Sequence, residues 1–114
     1  MKYTSRHYAN EILKDIHNKK LILCERDKNI EFMKQYGLSK EVIDNYVYQL
    51  TPNYFSERIE NEDKNIKAKY LYVFRPLISL VDEYGFYNKI KLYIKLCSYD
   101  GDRTLIVSFH EDDK

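Results

Sequence analysis

Proton-carrying and cationic side chains alternate with apolar ones in the last quarter of the chain. Segment 91–99 carries Lys91, Tyr93 and Lys95 at every second position, and segment 103–110 carries Ser108 and His110. Histidine exchanges a proton near neutral pH, hydroxyl groups donate hydrogen bonds and lysine supplies positive charge. Such a set is suited to acid–base chemistry on a phosphate or another polyanion, provided that the fold brings both segments together.

A hairpin is predicted to bring them together, because Asp100-Gly101 is the preferred sequence of a two-residue type I′ turn between strands. That turn would place His110 opposite Lys91 and diagonal to Tyr93. Its register would put one set of apolar side chains on a core face: Leu92, Ile94, Leu96, Leu105, Val107 and Phe109. The polar set, with Ile106, would share the other face, for which a plain solvated sheet surface is the alternative interpretation.

The remaining elements follow from hydrophobic period and capping residues. Helices are predicted over 7–19, from Asp27 or Asn29 to Gly37, from the cap Ser39 to 50, and in a short piece after Thr51-Pro52 that carries Arg58. Further strands are predicted over 68–74, ending at Arg75-Pro76, and over 77–81. The sequence thus predicts one α+β domain, 1–114, with amino-terminal helices packed on a carboxyl-terminal antiparallel sheet.

Composition narrows the class of protein. The 114 residues include 19 basic and 18 acidic side chains, a net charge of +1, which argues against a wholly basic nucleic-acid binder. The charge is segmented, however, and 67–99 holds six basic and two acidic residues. Cys24 and Cys97 lie far apart without a Cys-x-x-Cys motif, and no signal peptide or membrane span is evident. We therefore expect a reduced, cytoplasmic protein with no disulfide, zinc site or membrane association.

Several segments, in this order and spacing, resemble the MqsR family of bacterial toxins: Tyr36-Gly37-Leu38, 48–55, 73–76, 92–96 and 105–111. The resemblance spans nearly the whole chain. It implies a compact RelE-like α+β fold and an endoribonuclease that needs no metal or other cofactor. Such toxins cleave messenger RNA and are neutralised by a cognate antitoxin; the ribosome is a further candidate partner.

The resemblance also implies roles for individual residues. Tyr93 matches a family active-site tyrosine, and His110 stands where the family often has lysine. We expect His110 to be the general acid or base, with Tyr93, Lys95 and Arg75 completing the catalytic set. Lys91, Arg58 and Ser108 are expected to bind RNA. Glu57 stands where the family has a basic residue, and Leu71 where it has a glutamine.

Two other functions remain open at this point. A protein-binding module or inhibitor, for example one encoded by a phage, could use the same fold without catalysis, since the near-neutral charge and Glu57 both favour it. A non-catalytic RNA binder is the third alternative, and its affinity would fall steeply with salt.

Overall fold

A computed structural model describes residues 5–113 and confirms the α+β class, with helices preceding most of the strands. Residues 1–4, which the signal-peptide prediction includes, and Lys114, the end of the predicted domain, lie outside that range. The helices and strands are α1 (Ser5–Asn18), β1 (Lys20–Leu23), α2 (Asp27–Tyr36), α3 (Lys40–Tyr48), β2 (Phe55–Glu60), β3 (Tyr70–Phe74), β4 (Leu77–Val81), β5 (Tyr87–Ser98) and β6 (Arg103–Glu111).

The capping residues act as predicted for the two central helices. Gly37 ends α2 in the left-handed conformation at φ 63°, which suits a residue without Cβ. Ser39 begins α3, where its hydroxyl accepts a hydrogen bond from the Val42 amide at 3.2 Å. None of the helices in residues 5–113 is long and apolar enough to cross a membrane.

The sheet has six strands in the order β1-β6-β5-β3-β2, while β4 pairs with the first half of β5. The sequence predicts a wholly antiparallel sheet, whereas this sheet is mixed because β1 pairs with the edge of β6 in parallel. Arg75-Pro76 separates β3 from β4, and both strands pair with the same side of β5. Because proline has no N–H group to donate to a strand ladder, the strand is interrupted at Arg75-Pro76, where the sequence predicts it.

The predicted hairpin register is wrong. A type I′ turn needs a positive φ at Gly101, and the φ of Gly101 is not positive. The Tyr99 amide instead donates to the Arg103 carbonyl across a longer loop. A β-bulge then falls at Val107, since Lys95 pairs with Ser108 while Leu96 pairs with Ile106.

The bulge reverses the alternation of side chains along β6. Before it, Ile106 faces the helices while Leu105 and Val107 face the other side, the reverse of the prediction. After it, Phe109 joins the main core as predicted. The longer loop and the bulge each shift the register by one position, so that His110 lies opposite Tyr93 and not opposite Lys91.

The prediction of a short helix after Thr51-Pro52 is also wrong in its extent. Only Pro52–Tyr54 forms a single 3₁₀ turn, and β2 begins at Phe55. Strand β2 pairs with β3, so that ladder hydrogen bonds outweigh the local helical pattern. On a strand, the neighbours Glu57 and Arg58 point to opposite faces of the sheet.

One face of the sheet packs on the helices and the other is largely open. The helix-covered core includes Ile12, Ile16, Ile43, Phe74, Ile94 and Phe109, all fully buried. A smaller cluster on the open face consists of Ile66, Leu71, Cys97, Leu105 and Val107. Both cysteines are free thiols, and burial raises the pKa of Cys97 to about 11. The open face beside this smaller cluster carries the candidate site.

Candidate active site

Four neighbouring strands place the candidate residues in two rows on the open face. Glu57 of β2, Val73 of β3, Lys95 of β5 and Ser108 of β6 form one row by direct pairing. The next row contains Tyr93, its partner His110, and Arg75, which directly follows β3. Adjacent strands lie about 4.8 Å apart, which puts polar groups from distant parts of the sequence within reach of one ligand.

These rows form the floor of a cavity of about 360 Å³. Its lining combines four cations, three carboxylates, a histidine and two hydroxyl groups: Arg26, Lys28, Arg75, Lys95, Glu57, Asp112, Asp113, His110, Tyr93 and Ser108. Of the seven site residues predicted from the sequence, this cavity brings together five: His110, Tyr93, Lys95, Arg75 and Ser108.

Arg75 is held from two sides. Its Nε donates to Asp112 Oδ2 at 3.2 Å, and one terminal nitrogen donates to the Ser56 hydroxyl and lies 3.8 Å from Glu57 Oε1. The guanidinium carbon also lies 5.1 Å from the centre of the Tyr93 ring. A planar guanidinium fixed in this way can present its remaining N–H groups to a phosphate oxygen.

Tyr93 and His110 form a stacked pair, with ring centres 5.6 Å apart and planes inclined by 21°. Burial raises the pKa of Tyr93, and Glu57 and Asp112 add to that rise while Arg75 opposes it. The hydroxyl therefore keeps its proton at neutral pH and can donate a hydrogen bond. His110 Nδ1 lies 2.9 Å from the Glu111 backbone carbonyl, an acceptor only, which leaves Nε2 to exchange a proton with a ligand.

Lys95 lies half-buried beside this pair, with its Nζ 5.8 Å from the centre of the Tyr93 ring. Burial lowers the pKa of Lys95, and the nearby Arg26 lowers it further while Asp63 opposes the change. Within residues 5–113 this ammonium forms no ion pair. A bound phosphate would therefore supply the anionic partner that the folded chain does not.

Helix α2 braces the strand that carries His110. Asn29, which is almost fully buried, donates from Nδ2 to the Val107 and Cys24 carbonyls at 3.1 and 2.9 Å. Its Oδ1 accepts from the Phe109 amide at 2.8 Å. Strand β1 ends before this part of β6, so one amide side chain satisfies backbone groups that would otherwise be buried without partners. This brace holds the bulge at Val107, three residues before His110.

Two of the predicted site residues do not reach the cavity. Lys91 is exposed and lies opposite Leu77 of β4 rather than opposite His110. Arg58 points to the helix side of the sheet, where its guanidinium carbon lies 3.9 Å from the Tyr8 ring centre and 3.7 Å from that of Tyr70. The predicted RNA-binding role of Arg58 depended on a helix that does not form.

The sequence reasoning missed Arg26, Lys28, Asp112 and Asp113 and treated Glu57 only as a departure from the family pattern. Arg26 and Lys28 belong to a charged stretch directly after β1, and the two aspartates follow β6. Charges that immediately follow two adjacent parallel strands lie at the same end of the sheet, but the parallel pairing of β1 with β6 is found only in the structure.

No set of three His, Cys, Asp or Glu side chains within residues 5–113 is arranged to hold a metal ion. Comparisons with protein-family models, with curated proteins and with solved structures find no match to this chain. The geometry of the cavity is thus the principal evidence on function.

Proposed function

We propose that this protein is a metal-independent endoribonuclease toxin, similar to the MqsR family, that cleaves messenger RNA. The observation that carries the proposal is the stacked Tyr93–His110 pair in a cavity that Arg75 and Lys95 also line. The cavity combines a group that exchanges protons, a hydrogen-bond donor and two cations. Cleavage of an RNA phosphodiester by attack of its own 2′-hydroxyl requires these functions together with a second group that transfers a proton.

The surroundings of each residue indicate its role in the reaction. Arg75, Lys95 and the Tyr93 hydroxyl bind the non-bridging phosphate oxygens and stabilise the charge that develops when the 2′-oxygen attacks phosphorus. His110 Nε2 transfers the proton at one of the two reacting oxygens. The products are a 2′,3′-cyclic phosphate and a free 5′-hydroxyl.

Glu57 is the best candidate for the second proton transfer. It lies on β2 and His110 on β6, three strand spacings across and two residues along the sheet, or about 16 Å apart at the backbone, with Arg75 and Tyr93 between them. In an in-line displacement the attacking and leaving oxygens lie on opposite sides of phosphorus, between such a pair. We infer that Glu57 accepts the 2′-hydroxyl proton while His110 protonates the 5′-oxygen.

The remaining parts of the proposal follow from the resemblance to MqsR toxins. A cognate antitoxin would neutralise the protein, cleavage would occur in the cytoplasm, and the ribosome is a candidate partner that would present the messenger. The cavity's four cations against three carboxylates support a local, modest attraction for RNA and fit the small net charge of the chain.

The test is cleavage of an RNA transcript in the presence of EDTA by the wild type, His110→Ala, Glu57→Gln and Tyr93→Phe. We expect a loss of about a hundredfold or more for His110→Ala and for Glu57→Gln, because each removes one proton transfer. Lys91→Ala is the matched control, because Lys91 lies on the same strand outside the cavity. Products should end in a cyclic phosphate, which mass spectrometry detects. A wild type that cuts no RNA would overturn the proposal.

A protein-binding function is the second candidate, and a separate surface favours it. The β4–β5 hairpin exposes an apolar set at one end of the molecule: Leu77, Val81, Tyr84, Phe86 and Tyr87. Exposed apolar groups of this kind often bind a protein partner. If Phe86→Ser and Tyr87→Ser abolish growth inhibition on expression in bacteria while His110→Ala keeps it, partner binding rather than catalysis is the function.

A further inference from the structure

The cavity of the candidate site continues along the open face of the sheet through Arg26. Arg26 also lines a second cavity of about 490 Å³, whose other walls include Ile22, Cys24, Tyr99, Arg103 and Leu105. It lines a third cavity of about 520 Å³ as well, which contains Glu60, Glu62 and Lys95. A strand of RNA leaving the candidate site at Arg26 therefore has two routes.

An ion pair stands where the routes divide. Arg26 donates to Asp63 Oδ2 at 2.8 Å, and the two side chains are 41% and 33% exposed. Exposed pairs of this type contribute little to stability, so that a phosphate can replace Asp63 as the partner of Arg26 at small cost. Asp63 itself stays anchored by its backbone amide, which donates to Asn61 Oδ1 at 2.9 Å.

The charges favour the route into the second cavity. The third cavity holds three carboxylates, from Glu60, Glu62 and Asp63, against the two cations Arg26 and Lys95, and this negative excess repels a phosphate backbone. The second holds two arginines, each paired with one aspartate, Arg26 with Asp63 and Arg103 with Asp100, and carries no such excess. An anionic chain that passes Arg26 is therefore directed toward Arg103.

A flat platform lies at the far end of that route. The Arg103 guanidinium carbon lies 4.9 Å from the centre of the Tyr99 ring, and Asp100 accepts its Nε hydrogen bond at 2.8 Å. The Arg103 side chain is nevertheless 45% exposed. A guanidinium plane that is held on an aromatic ring and open to solvent is a surface on which unpaired RNA bases stack.

We propose that the single-stranded RNA beside the cleaved bond follows this groove, with a phosphate on Arg26 and a base on the Arg103–Tyr99 platform. The inference rests on the proposed ribonuclease function and adds the path of the substrate. Tyr99 lies six positions beyond Tyr93, directly after the end of β5 and about 20 Å along the strand, so that several nucleotides lie between the reacting phosphate and the platform. The protein is thus expected to select an extended single strand over a dinucleotide.

The experiment measures binding and cleavage separately. Binding is measured by fluorescence anisotropy with a randomised RNA of about twelve nucleotides whose 2′-O-methyl groups prevent cleavage. Arg103→Ala and Arg103→Lys should each weaken binding about tenfold, because lysine restores the charge but not the plane. Asp63→Asn should tighten binding by releasing Arg26. Tyr87→Ala, an exposed tyrosine of β5 outside the groove, is the matched control.

Cleavage of short and long RNA gives the second readout. Arg103→Ala should raise KM for an unmodified long RNA while leaving kcat unchanged, and it should leave cleavage of dinucleotides unaffected. If Arg103→Ala and Tyr99→Leu, shown to be folded by their melting curves, bind and cleave long RNA like the wild type, the groove assignment is wrong and the ribonuclease function stands. If the wild type neither binds nor cuts RNA, both proposals fall.

Discussion

Arg75 Nε donates to Asp112 Oδ2 at 3.2 Å, with only 16% of the arginine and 4% of the aspartate side chain exposed. This ion pair joins the end of β3 to the residue after β6 and holds the guanidinium beside Tyr93. The carboxylate is part of the lining of the candidate site, yet its partner is the arginine rather than open solvent. Asp112 is therefore a positioning residue for Arg75.

Asp112→Asn should lower both stability and activity. Removal of one charge from a buried pair costs about 3 kcal/mol of the free energy of unfolding, and a displaced Arg75 should reduce RNA cleavage about a hundredfold. Urea denaturation and cleavage assays measure the two effects. The neighbouring Asp113→Asn is the control, since its pair with Lys28 is exposed and should have little influence on stability. Equal effects of the two variants would contradict the positioning role.

Asn29→Ala should destabilise the fold and weaken the site together. The substitution leaves the Val107 carbonyl and the Phe109 amide without their side-chain partner, which costs about 1–3 kcal/mol for each buried polar group. Hydrogen exchange should accelerate at the Phe109 amide in particular. Asn18→Ala, which loses only an exposed bond to the Lys14 carbonyl, is the comparison. Unchanged protection at Phe109 would show that the asparagine does not brace β6.

Lys95→Met should increase stability while abolishing activity. Because the pKa of Lys95 is lowered in the folded state, the unfolded chain binds more protons as pH approaches the ordinary value of 10.5. The wild type therefore gains free energy of unfolding with rising pH in that range. Lys95→Met has no such group. The excess of its free energy of unfolding over that of the wild type at pH 7 should therefore decrease toward pH 10.

Two measurements test this prediction for Lys95. Urea denaturation of both proteins at several pH values gives the difference in unfolding free energy, and RNA cleavage at pH 7 should fall about a hundredfold. Lys91→Met is the control, because this exposed lysine lies on the same strand and the same face. If the difference in unfolding free energy between Lys95→Met and the wild type stays constant with pH, the pKa of Lys95 is not lowered by folding.

Arg58→Met should retain RNA cleavage per folded molecule. Arg58 stacks between Tyr8 and Tyr70 on the helix side of the sheet, where loss of its cation–π contacts should cost about 1 kcal/mol. Arg75→Met, the same substitution on the open face, should nearly abolish cleavage. Melting curves and cleavage assays of the pair provide the comparison. A large loss of activity in Arg58→Met would show that Arg58 contributes to the candidate active site.

Local signals in the sequence were sufficient for much of this protein. The caps at Gly37 and Ser39, the break at Arg75-Pro76 and the alternation along β5 depend on a few neighbouring residues, and each is found where expected. The grouping of Tyr93 with Lys95, and of Ser108 with His110, also follows from alternation within each strand. These features need no information about distant parts of the chain.

Only the tertiary structure decided the rest, because it depends on partners far apart in sequence. The bulge at Val107 lies beside Asn29, 78 positions away, and together with the longer loop it makes His110 pair with Tyr93 rather than Lys91. The pairing of β2 with β3 converts a predicted helix into a strand, which exchanges Arg58 for Glu57 on the open face. Alternation within a strand predicts which side chains share a face. Which strands meet, and in which register, is set by long-range hydrogen bonds and packing.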